Sequence, residues 1–282
     1  MRRLIALVDG SDYSASVCDL AAWTAERTGS GVTVVHVLGH RQGVKQDLSG
    51  NIGLGARTQI LEELAELDAA KAKLAQKRGR AILEDAKTRL ETAGIKDVEV
   101  RLRSGDLVEA AAELEQGADI LLIGKRGEAA DYAKGHLGSN FERVARSTAR
   151  PVLVAARAFR PIRKVLIAFD GKAAALKAVD HAMRDPVFAG LAFHVAMAGV
   201  ASPEARRALE GALAMLKGAG HKAEGAILPG APEEVIGPEV AAQGADMLMM
   251  GAYGHSRIRG LLLGSTTSEL VRGCQVPVFL SR

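Results

Sequence analysis

The chain has 282 residues, room for two domains of ordinary size, and 48% of them are hydrophobic, enough for two cores. A net charge of +4 without a Lys/Arg block interleaved with aromatics argues against nucleic-acid binding. No apolar run reaches membrane-spanning length, the run from Leu4 is too short for a signal peptide, and the only cysteines, Cys18 and Cys274, lie far apart. A cytoplasmic protein with two buried or inert thiols is expected.

In chain order, Leu4 to Val8 is a short continuous apolar run, the mark of a strand buried on both faces. Asp9-Gly-Ser-Asp12 is a turn and helix start, and the helix from Tyr13 stops near Gly29. Val32 to Leu38 is a second strand, and the polar, glycine-rich segment Gly39 to Gly55 reads as a long loop. Thr58 to Thr92 is helical by its spacing of Ile60, Leu61, Leu64, Leu67, Leu74, Ile82, Leu83 and Leu90, and is assigned mainly to surface helices. Its charge run, Glu62 to Arg80, is either a solvated face or a partner-docking face. A strand Lys96–Leu102, a helix capped at Ser104-Gly-Asp106, a strand Asp119–Ile123, a glycine-bearing loop, a helix Phe141–Thr148 and a strand Val152–Ala155 follow.

From Arg160 the same order begins again. Leu4-Ile-Ala-Leu-Val-Asp-Gly10 reads against Val165-Leu-Ile-Ala-Phe-Asp-Gly171. Gly117-Ala-Asp-Ile-Leu-Leu-Ile-Gly-Lys-Arg-Gly127 reads against Gly244-Ala-Asp-Met-Leu-Met-Met-Gly-Ala-Tyr-Gly254. Pro151-Val-Leu-Val-Ala155 reads against Pro277-Val-Phe-Leu-Ser281. This is duplication of a whole domain. The expected units are 1–159, with a helical insertion at about 39–80, and 160–282. Each is read as an α/β domain of five parallel strands with helices on both faces and right-handed crossovers.

The stretch Gly251 to Thr266 carries the chemistry. It follows an apolar strand and precedes a helix, so glycine backbone and free helix N–H groups can face an anion. Gly251, two residues, Gly254, nine residues, Gly264 is its spacing, with Ser265 and Thr266 next. A plain turn with an N-cap is the alternative. In the first copy, Gly124, Gly127 and Gly138 have a second gap one residue longer, and Asn140 stands where Thr266 does. Lys125 and Arg126 either neutralise an anion or are solvated loop charges. Asp170, ending the first strand of the second copy, would share the carboxyl edge with the Gly251 loop, where open sheets of this kind bind ligands. No P-loop, Gly-x-Ser-x-Gly elbow or HExxH pair is present. His36 and His194 are expected in the core or at its edge, and Met247, Met249 and Met250 as core filler.

These residues together resemble the universal stress protein family, in tandem over nearly the whole chain. The signature Gly, two residues, Gly, nine residues, Gly and Ser/Thr is met by Gly251, Gly254, Gly264 and Ser265, alongside the strand-one aspartates Asp9 and Asp170 and the closing strand after Pro277. The resemblance implies an adenine-nucleotide α-hydrolase-like fold binding ATP, with Mg²⁺, in a stress-response regulatory role, with a protein partner left unidentified. A slow ATPase or nucleotide-transferring enzyme of the same fold is the alternative. By resemblance, Asp170 meets the adenine with Ala196 and Met197 near it, Gly251, Gly254, Gly264, Ser265 and Thr266 hold ribose and phosphates, and Tyr253 occupies the variable loop position. His255 or Arg257 could reach phosphate. Nucleotide is expected mainly in the second domain, the first being degenerate or differently liganded. The family's pairing through last strands implies a homodimer, or the same pairing between Val152–Ala155 and Val278–Ser281 within one chain.

Overall fold

A computed structural model describes residues 2–39, 54–127, 137–252 and 264–282, with backbone alone for 54–59. The expected loop Gly39–Gly55 therefore lies almost wholly outside the described residues, as do Tyr253, Gly254, His255 and Arg257.

The first half runs β1 (Arg3–Leu7), α1 (Asp12–Thr28), β2 (Gly31–Leu38), α2 (Leu54–Thr92), β3 (Val98–Ser104), α3 (Leu107–Glu115), β4 (Ile120–Gly124), α4 (Ser139–Ser147) and β5 (Val152–Ala155). The second repeats the order as β6 (Lys164–Ala168), α5 (Ala173–Arg184), β7 (Ala192–Ala198), α6 (Pro203–Gly218), β8 (Lys222–Leu228), α7 (Pro232–Ala242), β9 (Met247–Gly251), α8 (Ser265–Gly273) and β10 (Val278–Ser281), with a 3-10 turn at Pro186–Phe188.

The ten strands among the described residues form one sheet in the order β3-β2-β1-β4-β5-β10-β9-β6-β7-β8. Pairing is parallel throughout except at the seam, where β5 and β10 run antiparallel with Val278 opposite Val154 and Leu280 opposite Val152. The closing strands therefore pair within one chain. In each half the order reverses between the first and fourth strands, β1/β4 and β6/β9, which opens a crevice at their carboxyl ends.

Successive strand side chains point to opposite faces. Leu4, Ala6 and Val8 join one core with residues of α1, α2, α5 and α6, whereas Ile5 and Leu7 join the other with residues of α3, α4, α7 and α8. The central strands are covered on both sides, which is why they read as unbroken apolar runs rather than alternating ones. Met247 and Met249 are fully buried and Met250 nearly so. His36 is buried on β2, its Nδ1–H donating to the Val8 carbonyl at 2.8 Å. His194 is buried on β7 with Nε2 3.0 Å from Glu239 Oε1. Cys18 and Cys274 are both buried free thiols, and burial pushes the Cys18 thiol up to about 12.

One expectation needs correction. The segment read as several surface helices is a single helix of 39 residues, and its C-terminal part is core. Leu83, Ala86 and Leu90 pack under β2 and β3, as the 16-residue α6 does under β7 and β8. Gly79 makes this continuous path possible. A Cβ there would stand 2.8 Å from Leu102 Cδ1 and 2.9 Å from His36 Cδ2, so the glycine, unfavourable in a helix by about 1 kcal/mol, lets the helix lie on the sheet. Gly79→Val should cost about 1–3 kcal/mol through overpacking, read as a lower midpoint in urea; an unchanged midpoint would mean that α2 does not touch the sheet there.

Candidate nucleotide site

In the second half, Asp170 follows β6 and is exposed at the carboxyl edge. Its Oδ1 accepts from the Lys172 backbone N–H at 2.9 Å, and Lys172 Nζ lies 3.8 Å from Oδ2. Lys172 therefore holds the turn with its backbone and faces the aspartate with its side chain. Gly171 needs its positive φ of 75° for that turn. Ala196 is buried opposite Ala168 on β6, and Met197 is half-buried beside the Gly171 turn. Gly251 ends β9, paired with Ser281. A Cβ on it would lie 2.6 Å from the Ala174 carbonyl carbon, so this glycine lets β9 run directly beneath the first turn of α5.

Gly264 is the N-cap of α8 and provides no side-chain cap. Ser265, the first helical residue, is exposed, Thr266 is half-buried and Thr267 is buried. Gly264 has φ −52° and ψ 143°, open to any residue, and among the described residues a Cβ would meet only Thr267 Oγ1, at an ordinary 3.7 Å. Neither backbone strain nor packing within the described residues demands glycine here.

The first half arranges the same parts differently. Asp9 Oδ1 accepts from Ser11 N–H at 3.0 Å and from the Ser14 hydroxyl at 3.3 Å. Its counterpart Asp170 has Ala175 where Asp9 has Ser14. Gly127 comes so close to Asp9 that a Cβ would stand 2.7 Å from Oδ2. Gly138, capping α4, is pressed against the loop, its N–H donating to the Lys125 carbonyl at 3.0 Å and its Cβ position 3.3 Å from Arg126 Cα.

Between these parts lies a cavity of about 570 Å³, lined among others by Asp9, Val37, Asp106, Arg126, Asn140 and Arg143. Asp106 caps α3, accepting from Val108 N–H at 2.8 Å, and also pairs with Arg143 of α4 at 2.5 Å. The hydrogen bond from Arg143 holds the Asp106 carboxyl below the usual carboxylate range. Ala231 and Glu269 hold the corresponding places in the second half, so this clamp between two helices belongs to the first half alone.

Lys125 is neither of the things its sequence position offered. It is 5% exposed and points across the seam, where Nζ donates to the carbonyls of Cys274 and Val276, the latter at 3.3 Å. The second copy has buried Ala252 in its place. Arg126 does line the cavity. Burial, reinforced by the charge of Arg126 and opposed by Cys274, brings the Lys125 ammonium down from 10.5 to about 8.

Below about 8 the folded chain carries the buried charge; between about 8 and 10.5 it releases the proton before the unfolded chain does, and stability rises with pH. Relative to Lys125→Met, the wild type should gain about 2–3 kcal/mol across that window, measured by urea unfolding at stepped pH. The Cys18 contribution has the opposite sign above its unfolded value of 9.0, is common to both proteins, and cancels; Cys274, also raised by burial but held lower by the Lys125 charge, does not cancel and is replaced by alanine in both proteins. Parallel stability curves would contradict the buried ammonium.

The duplicated five-strand units, each with an aspartate after its first strand and a glycine ending its fourth at the switch point, define a tandem α/β protein. The model of the universal stress protein family matches it twice, over residues 1–156 and 161–282. The chain belongs to the universal stress protein family. Universal stress protein Slr1230 of Synechocystis sp. is 38% identical over 287 residues, covering 100% of both chains. Universal stress protein MJ0577 of Methanocaldococcus jannaschii is 30% identical over 77 residues, 27% of this chain and 48% of that one. Among solved structures, a universal stress protein from Archaeoglobus fulgidus has a TM-score of 0.74 at 21% identity, covering 99% of this chain and 98% of the other.

Proposed function

We propose that this protein binds an adenine nucleotide, ATP with Mg²⁺, at the carboxyl edge of its sheet, and acts in the cytoplasm as a nucleotide-responsive regulator in the stress response. The units are 1–159 and 160–282, with the second as the principal site. The observation that carries this reading is Gly264, a glycine at an uncapped helix N-terminus where nothing among the described residues excludes a side chain. A bound phosphate would exclude one.

The residues present fit the nucleotide. The exposed Asp170 carboxylate is available as an acceptor for the adenine amino group or ribose, and the first turn of α8 offers backbone N–H groups with the Ser265 hydroxyl. Ala196 and Met197, on opposite faces at the end of β7, would lie near the adenine, and Gly251 gives the close approach of β9; Thr266 stands at the helix start, and Tyr253 and Gly254, between them in sequence, would be further contacts. Among the described residues no group of three or more His, Cys, Asp or Glu side chains could hold a metal. Mg²⁺ would therefore arrive on the phosphates, as it commonly does. When bound, the nucleotide would favour whichever conformation it contacts best, and so shift the population presented to a partner.

The first-half cavity favours a second reading, in which that half also takes a nucleotide, with Arg126 toward its phosphates. Calorimetric titration with ATP separates the two. Gly264→Val should abolish the stronger site and leave the fold intact; if that variant binds ATP as the parent does, the second-half assignment is wrong. Following the titrated mixture for ADP tests the alternative of a slow ATPase.

A further inference from the structure

From Ile60 to Arg78 every residue of α2 except half-buried Leu64 is exposed, a stretch about 28 Å long at 1.5 Å per residue. It runs past the part of the helix that covers the sheet, and it is not a plain polar face. Leu61, Leu67 and Leu74 are 48%, 49% and 66% exposed, and Ile60 36%. Ile60, Leu64, Leu67, Lys71 and Leu74 follow one another at alternating steps of four and three, the seam of a two-helix coiled coil. Exposed leucines at that spacing need a cover.

The charges choose the cover. Glu62, Glu63, Glu66 and Asp68 occupy the first part of the stretch with no basic residue among them; Lys71, Lys73, Lys77, Arg78 and Arg80 occupy the second with no acidic one. Signs separated into blocks offer few pairs within the helix beyond Asp68–Lys71 at the boundary, 3.7 Å apart. They match an identical helix running the opposite way, and a parallel copy would set acid on acid. We infer that a second copy of this chain docks here, the two α2 helices crossing antiparallel about Ala69. Leu64 of one copy then faces Leu74 of the other, and Leu67 faces the aliphatic stem of Lys71. Glu63 of one lies beside Lys77 of the other, twice by symmetry. The closing strand β10 is already paired with β5 in the same chain, so this dimer does not use it.

Sedimentation of the full chain from micromolar to millimolar concentration should show a monomer–dimer equilibrium. Leu67→Glu with Leu74→Glu, at exposed positions, should leave the chain monomeric over that range with an unchanged circular dichroism spectrum. Lys71→Glu/Lys73→Glu/Lys77→Glu and Glu62→Lys/Glu63→Lys/Glu66→Lys should each weaken self-association at least about tenfold, and their equimolar mixture should restore it. A wild type that stays monomeric, a dimer that survives the double leucine variant, or a mixture that fails to associate would overturn the proposal. A monomer whose amides from Ile60 to Leu74 resist hydrogen exchange would give the face to another segment of this chain, and overturns it equally.

Discussion

Phe279→Ala should cost about 3–5 kcal/mol, the loss expected when a fully buried aromatic leaves a cavity that its surroundings cannot fill. Phe279 is 1% exposed at the centre of β10, opposite Leu153 across the antiparallel seam and Met249 on the parallel side. Its ring meets Phe188 edge-to-face at 5.1 Å and His181 at 5.7 Å. His181 is in turn fixed by Ser281 Oγ, 2.8 Å from Nδ1. Phe188 stands in the turn whose carbonyls, on Val187 and Ala189, accept from Arg27 of α1, while Asp185 just before it pairs with Arg2 at 2.9 Å. Phe279 thus links the strand at the seam to the contacts that tie one half to the other. Its loss should lower the single unfolding midpoint or divide the transition in two, read by urea denaturation. Val200→Ala, at a position 87% exposed, is the control and should stay within about 0.5 kcal/mol. A Phe279→Ala protein as stable as this control would mean that the halves are not packed as described.

Gly251→Val should have the next largest effect, at or beyond the about 1–3 kcal/mol usual for overpacking. The obstacle is backbone: a Cβ would lie 2.6 Å from the carbonyl carbon and 2.7 Å from the oxygen of Ala174. Neither atom can rotate away, so the first turn of α5 must lift from β9, carrying the Asp170 turn with it. At Gly124 the corresponding neighbour is the side chain of Tyr13, with Cβ at 2.7 Å. A Cβ at Gly124 meets one atom under 3 Å where a Cβ at Gly251 meets three, so Gly124→Val should be the milder variant of the two. Thermal unfolding ranks them, and hydrogen exchange in α5 locates the damage. Equal stabilities would mean that the number of obstructing atoms does not set the cost.

How much of this was legible follows from what each element buries. The central strands were readable because both their faces are covered, which leaves unbroken apolar runs. The duplication made each half a check on the other, down to the paired closing strands. The course of α2 was not readable, because Gly79 suggests a break in any local pattern. Its reason is a neighbour distant in sequence, Leu102. Lys125 was open to a surface role because lysine is rarely buried, and its acceptors, the Cys274 and Val276 carbonyls, lie 149 and 151 residues away. At the candidate site, the apolar run before Asp170 placed it at the end of its strand, and the glycine-to-hydroxyl stretch placed a helix start near Ser265. The Asp106–Arg143 clamp and the cavity behind it went unread, although Asp106 had been recognised as a cap. A cap signal concerns its own helix and says nothing about a guanidinium on another.

The central claim is a nucleotide at the carboxyl edge, and the most direct test is to denature the purified protein with acid, remove the precipitate and quantify released nucleotide by chromatography, adding ATP before desalting in a parallel sample. The account predicts one adenine nucleotide per chain, lost in Gly264→Val; two per chain, with one retained in that variant, would add the first-half cavity as a second site. No nucleotide in either sample, with no thermal shift on adding ATP, would contradict the account.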